Sequence, residues 1–334
     1  IDTVKCRLLV NLIDLENDNF KASGYNQLLE KYIPQIKNLD LQKKLYLQTT
    51  ALNNKAYFAL YESNYQLACQ YYFKALKLAE KNNDIDNLCT IYNSLGSIFF
   101  DLNEPEKSFA YYKKATSTAL QHHKIKRLGI IYNNIGYNLS NTNQLDSAYY
   151  YYQKSLKYRQ QVGDSLLIMQ SIGNIGGYFS RKKEFDKAID LYTQCMNYEL
   201  KHRDEIGAFS SAGNIASIYY QKGNIKKAEM YSEKSLALAQ KNKYYYGVFM
   251  ACEQLETIYS KRNKPSKVIE VLNLKARAKD SLNESESKEA LYKAEFKHET
   301  KKKTTRLLKY NRPVKLLNSK INATKPCSYW CFFQ

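Results

Sequence analysis

Apolar and polar positions along this chain follow two superposed periods. The short one is helical. Around Tyr132, Ile135, Gly136 and Leu139, apolar or small residues recur at i, i+3, i+4 and i+7, one face of a 3.6-residue helix. A second stripe follows at i, i+4 and i+7, as Ala148, Tyr152 and Ser155. The long period is forty residues. SIGNIGGYF at 171–179 is preceded by IYNNIGYNL at 131–139 and IYNSLGSIF at 91–99, and followed by SAGNIASIY at 211–219. Such a spacing marks internal repeats, each copy holding one pair of helices.

Aligning the copies on the small residue of that phrase gives Ala56, Gly96, Gly136, Gly176, Ala216 and Glu256. Twelve residues on stand Ala68, Ser108, Ala148, Ala188, Ala228 and Val268, and four further Tyr72, Tyr112, Tyr152, Tyr192, Ser232 and Leu272. The small positions let neighbouring helices approach, and the aromatic ones fill the space beside them. Asn103, Asn143, Gly223 and Asn263 fall where the first helix should end in a left-handed residue. Asp84, Asp164 and Asp204 fall where the next first helix needs a cap. Twelve Gly and five Pro in 334 residues suit long helices.

Tyr92, Leu95, Gly96, Phe99, Tyr112 and Ala115 together resemble the signature of the tetratricopeptide repeat. The resemblance implies an all-α fold, a tetratricopeptide-like α-solenoid superhelix of antiparallel helix pairs, here with a 40-residue repeat. Six copies would span 49–288. Residues 1–48 would be an N-terminal capping helix pair, a degenerate repeat with Leu12, Leu15, Leu28 and Tyr32 on the expected offsets. Residues 289–334 would form a basic C-terminal helix and tail. The usual unit has 34 residues, so the six extra are expected to lengthen the second helix and its exit loop. The family's late Pro is missing, and Glu256 should make the last copy pack loosely or act as a cap.

Just before the aliphatic-small pair stands a polar column: Asn54, Ser94, Asn134, Asn174, Asn214 and Gln254. The helical rotation of about 100° per residue takes it off the packed stripe. The resemblance places first helices on a concave face, with this column in the groove. A carboxamide both donates and accepts, the complement of a peptide group. The candidate peptide-binding set is therefore Asn54, Asn134, Asn174, Asn214 and Gln254 with Tyr137, Arg181, Tyr220, Gln221 and Lys261, mildly favouring an acidic ligand. The competing reading, in which the amides bond neighbouring helices, stays open beside it.

The formal net charge is +19. Residues 300–334 hold nine Lys or Arg and no carboxylate, about half of that excess. Three readings stand for this tail: a basic arm for nucleic acid or lipid headgroups, a truncated connector, or a shifted reading frame. Residues 281–299 resemble the connector after the repeats of bacterial (Bacteroidetes-like) sensor proteins, such as histidine kinases or regulators. The seven cysteines lack a framework spacing, and Cys69, Cys89, Cys195 and Cys252 are expected as small helical hydrophobes. His122, His123 and His202 have no partners at ligand spacing, and Gly173, Gly176 and Gly177 have no strand before them, so neither a metal, a nucleotide site nor any cofactor is expected. No catalytic constellation is present. The functional expectation is a non-enzymatic interaction module binding a protein or peptide, the sensory or scaffold part of a bacterial signalling protein. The alternative is nucleic-acid or anionic-surface binding through the tail. Ile1 in place of Met suggests a processed product or a fragment, either cytoplasmic or, with a signal peptide removed and a membrane span lost, periplasmic.

Overall fold

The computed structural model describes residues 3–16, 19–36 and 39–283, and among these there is no strand. The terminal helix and tail expected over 289–334, with Cys327 and Cys331, lie outside the described residues. Helices α1 (Thr3–Leu15) and α2 (Asn19–Tyr32), then a single 3-10 turn (Ile33–Gln35), come first. Eleven helices follow: α3 (Leu41–Tyr61), α4 (Tyr65–Asn82), α5 (Ile85–Asp101), α6 (Pro105–Gln121), α7 (Ile125–Asn141), α8 (Leu145–Val162), α9 (Ser165–Arg181), α10 (Phe185–Lys201), α11 (Glu205–Gln221), α12 (Ile225–Lys241) and α13 (Tyr245–Lys261). Residues 265–283 are helical to the edge of the described region; this is α14.

From α5 to α13 the helices are 17 or 18 residues long. The turns between them, such as 102–104 and 122–124, are short and alike. The six residues beyond the usual unit are thus shared by both helices rather than spent on the second helix and a longer exit loop. Asp84, Asp164 and Asp204 accept from the backbone N–H three residues on, at 3.2, 3.2 and 2.9 Å. Asn103, Asn143, Gly223 and Asn263 have φ between 53° and 76°. Local chemistry therefore starts and stops these helices where the periodicity requires.

The helices group into two compact units. One holds the residues up to Asn143 with Lys157–Val162; the other holds Gln144–Leu156 and the described residues from Gly163 onward. In the first unit α3 packs on α4, α4 on α5, α5 on α6 and α6 on α7. In the second, α9 packs on α10, α10 on α11, α11 on α12 and α12 on α13. The small residue is the reason. A Cβ on Gly96 would lie 2.9 Å from the Tyr112 ring, and one on Gly176 3.3 Å from the Tyr192 ring. The small residue leaves the room these rings need to close the pair.

A lysine caps the aromatic wall with the same period. Lys107 stands over Phe99 at 5.4 Å in the first unit. In the second, Lys187 stands over Phe179, Lys227 over Tyr219 and Lys267 over Tyr259, at 5.0, 5.0 and 4.9 Å. Where the ring is replaced by Ala59 or Leu139, the lysine is replaced too, by Leu67 or Ser147. Ring and cation are kept or lost together, as a cation–π contact requires.

Two elements depart from the expected register. In the cap, Leu12 is buried but Leu15 is exposed, and the packed stripe runs through Cys6, Leu9, Ile13 and Leu29. In the last pair, Leu272 is 42 % exposed although every aligned residue is buried, and Val271 and Ala278 take over. Glu256 stands where the other copies have a small residue, and its carboxylate pairs with Lys275 at 3.2 Å, so the close seat that glycine or alanine gives residue 272 elsewhere is missing.

Candidate functional site

The amide column lies on the first helices beside their packed stripes, and its members differ in how far they enter the packing. In the first unit, Asn54 Nδ2 donates to Asn26 Oδ1 at 3.1 Å, and the buried Asn26 donates in turn to the Ala51 carbonyl at 2.9 Å. Asn134 Nδ2 donates to Asn93 Oδ1 at 3.2 Å. Tyr137 is half-buried nearby in sequence on α7. In the second unit, Gln254 Nε2 donates to the Gly213 carbonyl at 3.2 Å and its Oε1 accepts from Ser232 Oγ at 2.9 Å. Asn174 is half-buried with interactions of its own, and Asn214 is exposed.

The column therefore does two jobs. Asn134 and Gln254 each reach the residue 41 positions back, on the preceding first helix, and so tie neighbouring first helices together. Asn93 and Gly213, the receiving ends, were legible only as the residue just before the column in the previous copy. Asn214 makes no such tie and faces outward.

Among the flanking candidates, the structure brings Tyr220 and Lys261 together, the ammonium 5.0 Å from the ring centroid. Arg181, Gln221 and Lys261 are exposed, at the C-terminal ends of α9, α11 and α13. There Arg181 and Lys261 complement the partial negative charge of a helix end. On α13 the neighbouring Glu253 is held by Lys275 at 3.1 Å.

The titratable groups displaced furthest from their ordinary range are pushed up by burial inside the packing. Burial pushes the thiols of Cys89 and Cys252 up to about 11 and that of Cys195 to about 12, which leaves them as unreactive thiols. Cys69 is half-buried and shifted the same way. Glu199 is pushed up to about 7 by burial, with the Asp204 charge adding to it; Ser211 Oγ donates to its carboxylate at 2.7 Å. No group of three or more metal-ligating side chains occurs among the described residues. No helix among them is long and apolar enough to cross a membrane.

Comparison with known proteins places this arrangement. Two family models, each described as tetratricopeptide repeat, match residues 47–121 and 127–198, and residues 209–242, rather more than half of the 334 residues. Searched against curated protein sequences, the chain has no match. Among solved structures it is similar to the apo form of the quorum sensor NprR from B. thuringiensis, with TM-score 0.58 and 14 % identity over 82 % of this chain and 75 % of that one. It is similar also to a Rap protein complexed with Competence and Sporulation Factor, with TM-score 0.55 and 14 % identity over 89 % and 97 % of the two chains. A STAND protein with a tetratricopeptide repeat sensor, PH0952 from Pyrococcus horikoshii, gives TM-score 0.56 and 15 % identity over 89 % of this chain and 55 % of that chain. At such identities the likeness is one of fold.

Proposed function

Because the chain belongs to the tetratricopeptide-repeat family, we propose that it is a non-catalytic interaction module that binds an extended protein or peptide segment along the first-helix faces of its units. One observation carries this reading. Asn214, the α11 member of the amide column, is exposed with its donor and acceptors uncommitted to a neighbouring helix. Its carboxamide can bracket a peptide group at both ends. The exposed Arg181 and Lys261 on the same helices give a mild preference for acidic segments. The quorum sensor, the Rap protein with its bound factor and the repeat sensor of the STAND protein support a role as the sensory or scaffold part of a bacterial signal-transduction protein.

The test separates ligand contacts from packing contacts. In the full chain, Asn214→Ala is expected to weaken capture of peptides selected from a random displayed pool by about fivefold, one net hydrogen bond, without moving the melting temperature. Asn134→Ala and Gln254→Ala are expected to lower stability by about 1 kcal/mol each, since each breaks a tie between helices. Wild-type affinity in both Asn214→Ala and Lys261→Glu would refute the reading.

A further inference from the structure

Tyr112 and Tyr192 hold the same position in copies eighty residues apart, but their hydroxyls meet different surroundings. The Tyr112 hydroxyl is shared between Ser97 Oγ and Asn138 Nδ2, 2.9 Å from each. Eighty residues on, those partners become Gly177 and Ile218. Tyr192 is only 8 % exposed. Its ring lies under α9, and its hydroxyl is 3.3 Å from where a Cβ of Gly177 would stand. No side chain among the described residues bonds that hydroxyl, whereas Ser97 and Asn138 both act on Tyr112. Burial drives its ionisation well above the tyrosine range, so it is a donor at every physiological pH. No neighbouring side chain takes the bond this donor can give, so it is left to whatever enters from outside.

Gly177 lies on the uncovered side of the helix. The aligned residues Ser97 and Tyr137 are half-buried, and Ser217 and Thr257 are exposed. One turn earlier, Gly173 is also half-exposed, with the Cys195 sulfur 3.8 Å beneath its missing Cβ. Over that turn the α9 backbone is bare, and the Tyr192 hydroxyl stands at the floor of the resulting notch. The Tyr192 ring accounts for Gly176. Gly177 is different, because Ser97 fits the same place over Tyr112 and would supply the missing bond.

We infer that the notch formed by Gly173, Gly177 and the Tyr192 hydroxyl is an anchor subsite for a main-chain carbonyl of an extended peptide. This rests on the groove reading above. A carbonyl oxygen accepts the one bond the phenol can give and is small enough to occupy the space of a hydroxymethyl group. The bare helix wall lets a second backbone come close, as glycine does wherever two backbones meet. An apolar side chain in the notch would leave the phenol unpaired.

The probe is a phage-displayed random dodecapeptide pool fused through its C-termini, so that no free carboxylate competes, selected on the full chain. Enriched sequences are then titrated as synthetic amidated peptides against the wild type, Tyr192→Phe, Gly177→Ser and Asn214→Ala. Tyr192→Phe is expected to weaken binding about 5- to 20-fold, the worth of one buried hydrogen bond, with the melting temperature unchanged. Gly177→Ser is expected to raise the melting temperature and weaken binding at least as much, by occupying the notch. Peptides that lose affinity with Asn214→Ala but bind Tyr192→Phe like the wild type would overturn the anchor and leave the groove standing. A lowered melting temperature for Tyr192→Phe would also overturn it, by showing a structural partner. A pool from which nothing is enriched would overturn the groove reading and the anchor with it.

Discussion

Tyr112→Ala is expected to destabilise the first unit by about 4 to 8 kcal/mol. The ring is 1 % exposed and fills the space that Gly96 leaves open, so its removal creates a cavity worth about 3–5 kcal/mol, as for other buried aromatics. The buried Asn138 also loses its acceptor, adding roughly 1–3 kcal/mol. Two milder variants divide the effect. Tyr112→Phe keeps the packing and should cost about 1–2 kcal/mol, the two polar contacts alone. Gly96→Val keeps the ring but drives a side chain into it and should cost about 1–3 kcal/mol. Stacked helix pairs need not unfold in one step, so urea denaturation should be followed by hydrogen exchange within α5, α6 and α7. A Tyr112→Ala protein within 1 kcal/mol of the wild type would show that these helices are not joined through this ring.

Glu199→Gln is expected to stabilise the second unit at pH 8 and to do far less at pH 5. Glu199 ordinarily titrates near 4.5 and is pushed up to about 7 in the fold. The folded chain therefore holds a proton that the unfolded chain releases. No penalty arises below about pH 4.5; it grows as the pH rises and is complete above about 7. Tenfold in a titration is about 1.4 kcal/mol, so the penalty amounts to at most about 3.5 kcal/mol. A glutamine keeps an acceptor for Ser211 and removes the charge. The groups facing Glu199 are Asp204, which caps α11, and Cys195, one turn back on α10. Asp86, Asp146, Glu205 and Glu229 are held below the carboxylate range by their lysine and arginine partners. Their contribution is lost only in stronger acid, outside this window. Denaturation curves of both proteins at pH 5, 6, 7 and 8 check the point, and parallel pH profiles would contradict it.

Most of the fold was legible because forty-residue spacing constrains many positions at once. Gly96, Gly176, Tyr112 and Tyr192 announce a close helix pair wherever they recur, and Asp84, Asp164 and Asp204 mark its start. The exceptions have local causes. The last pair turns its stripe from Leu272 to Val271 because Glu256 stands where a glycine or alanine would admit residue 272. The cap has no small-residue landmark, so its stripe through Leu9 and Ile13 could not be phased from Leu12 and Leu15.

The candidate site was half legible. Periodicity identified the amide column, but not which amides bond a neighbouring helix, because that depends on Asn93, Asn26 and the Gly213 carbonyl across the helix boundary. The Tyr192 hydroxyl was invisible for a related reason. In sequence Tyr192 matches Tyr112, and only comparison of Gly177 with Ser97 and of Ile218 with Asn138 separates them.

Hydroxyl-radical footprinting of the full chain, with and without a peptide enriched from the random pool, tests the binding face most directly. Tyr220 and the exposed Met250 lie on first helices, whereas the exposed Tyr150 and Met230 lie on second helices. Bound peptide should protect Tyr220 and Met250 and leave Tyr150 and Met230 oxidised as before. Protection of Tyr150 and Met230 with Tyr220 and Met250 unchanged would place the ligand on the opposite helices and contradict the account.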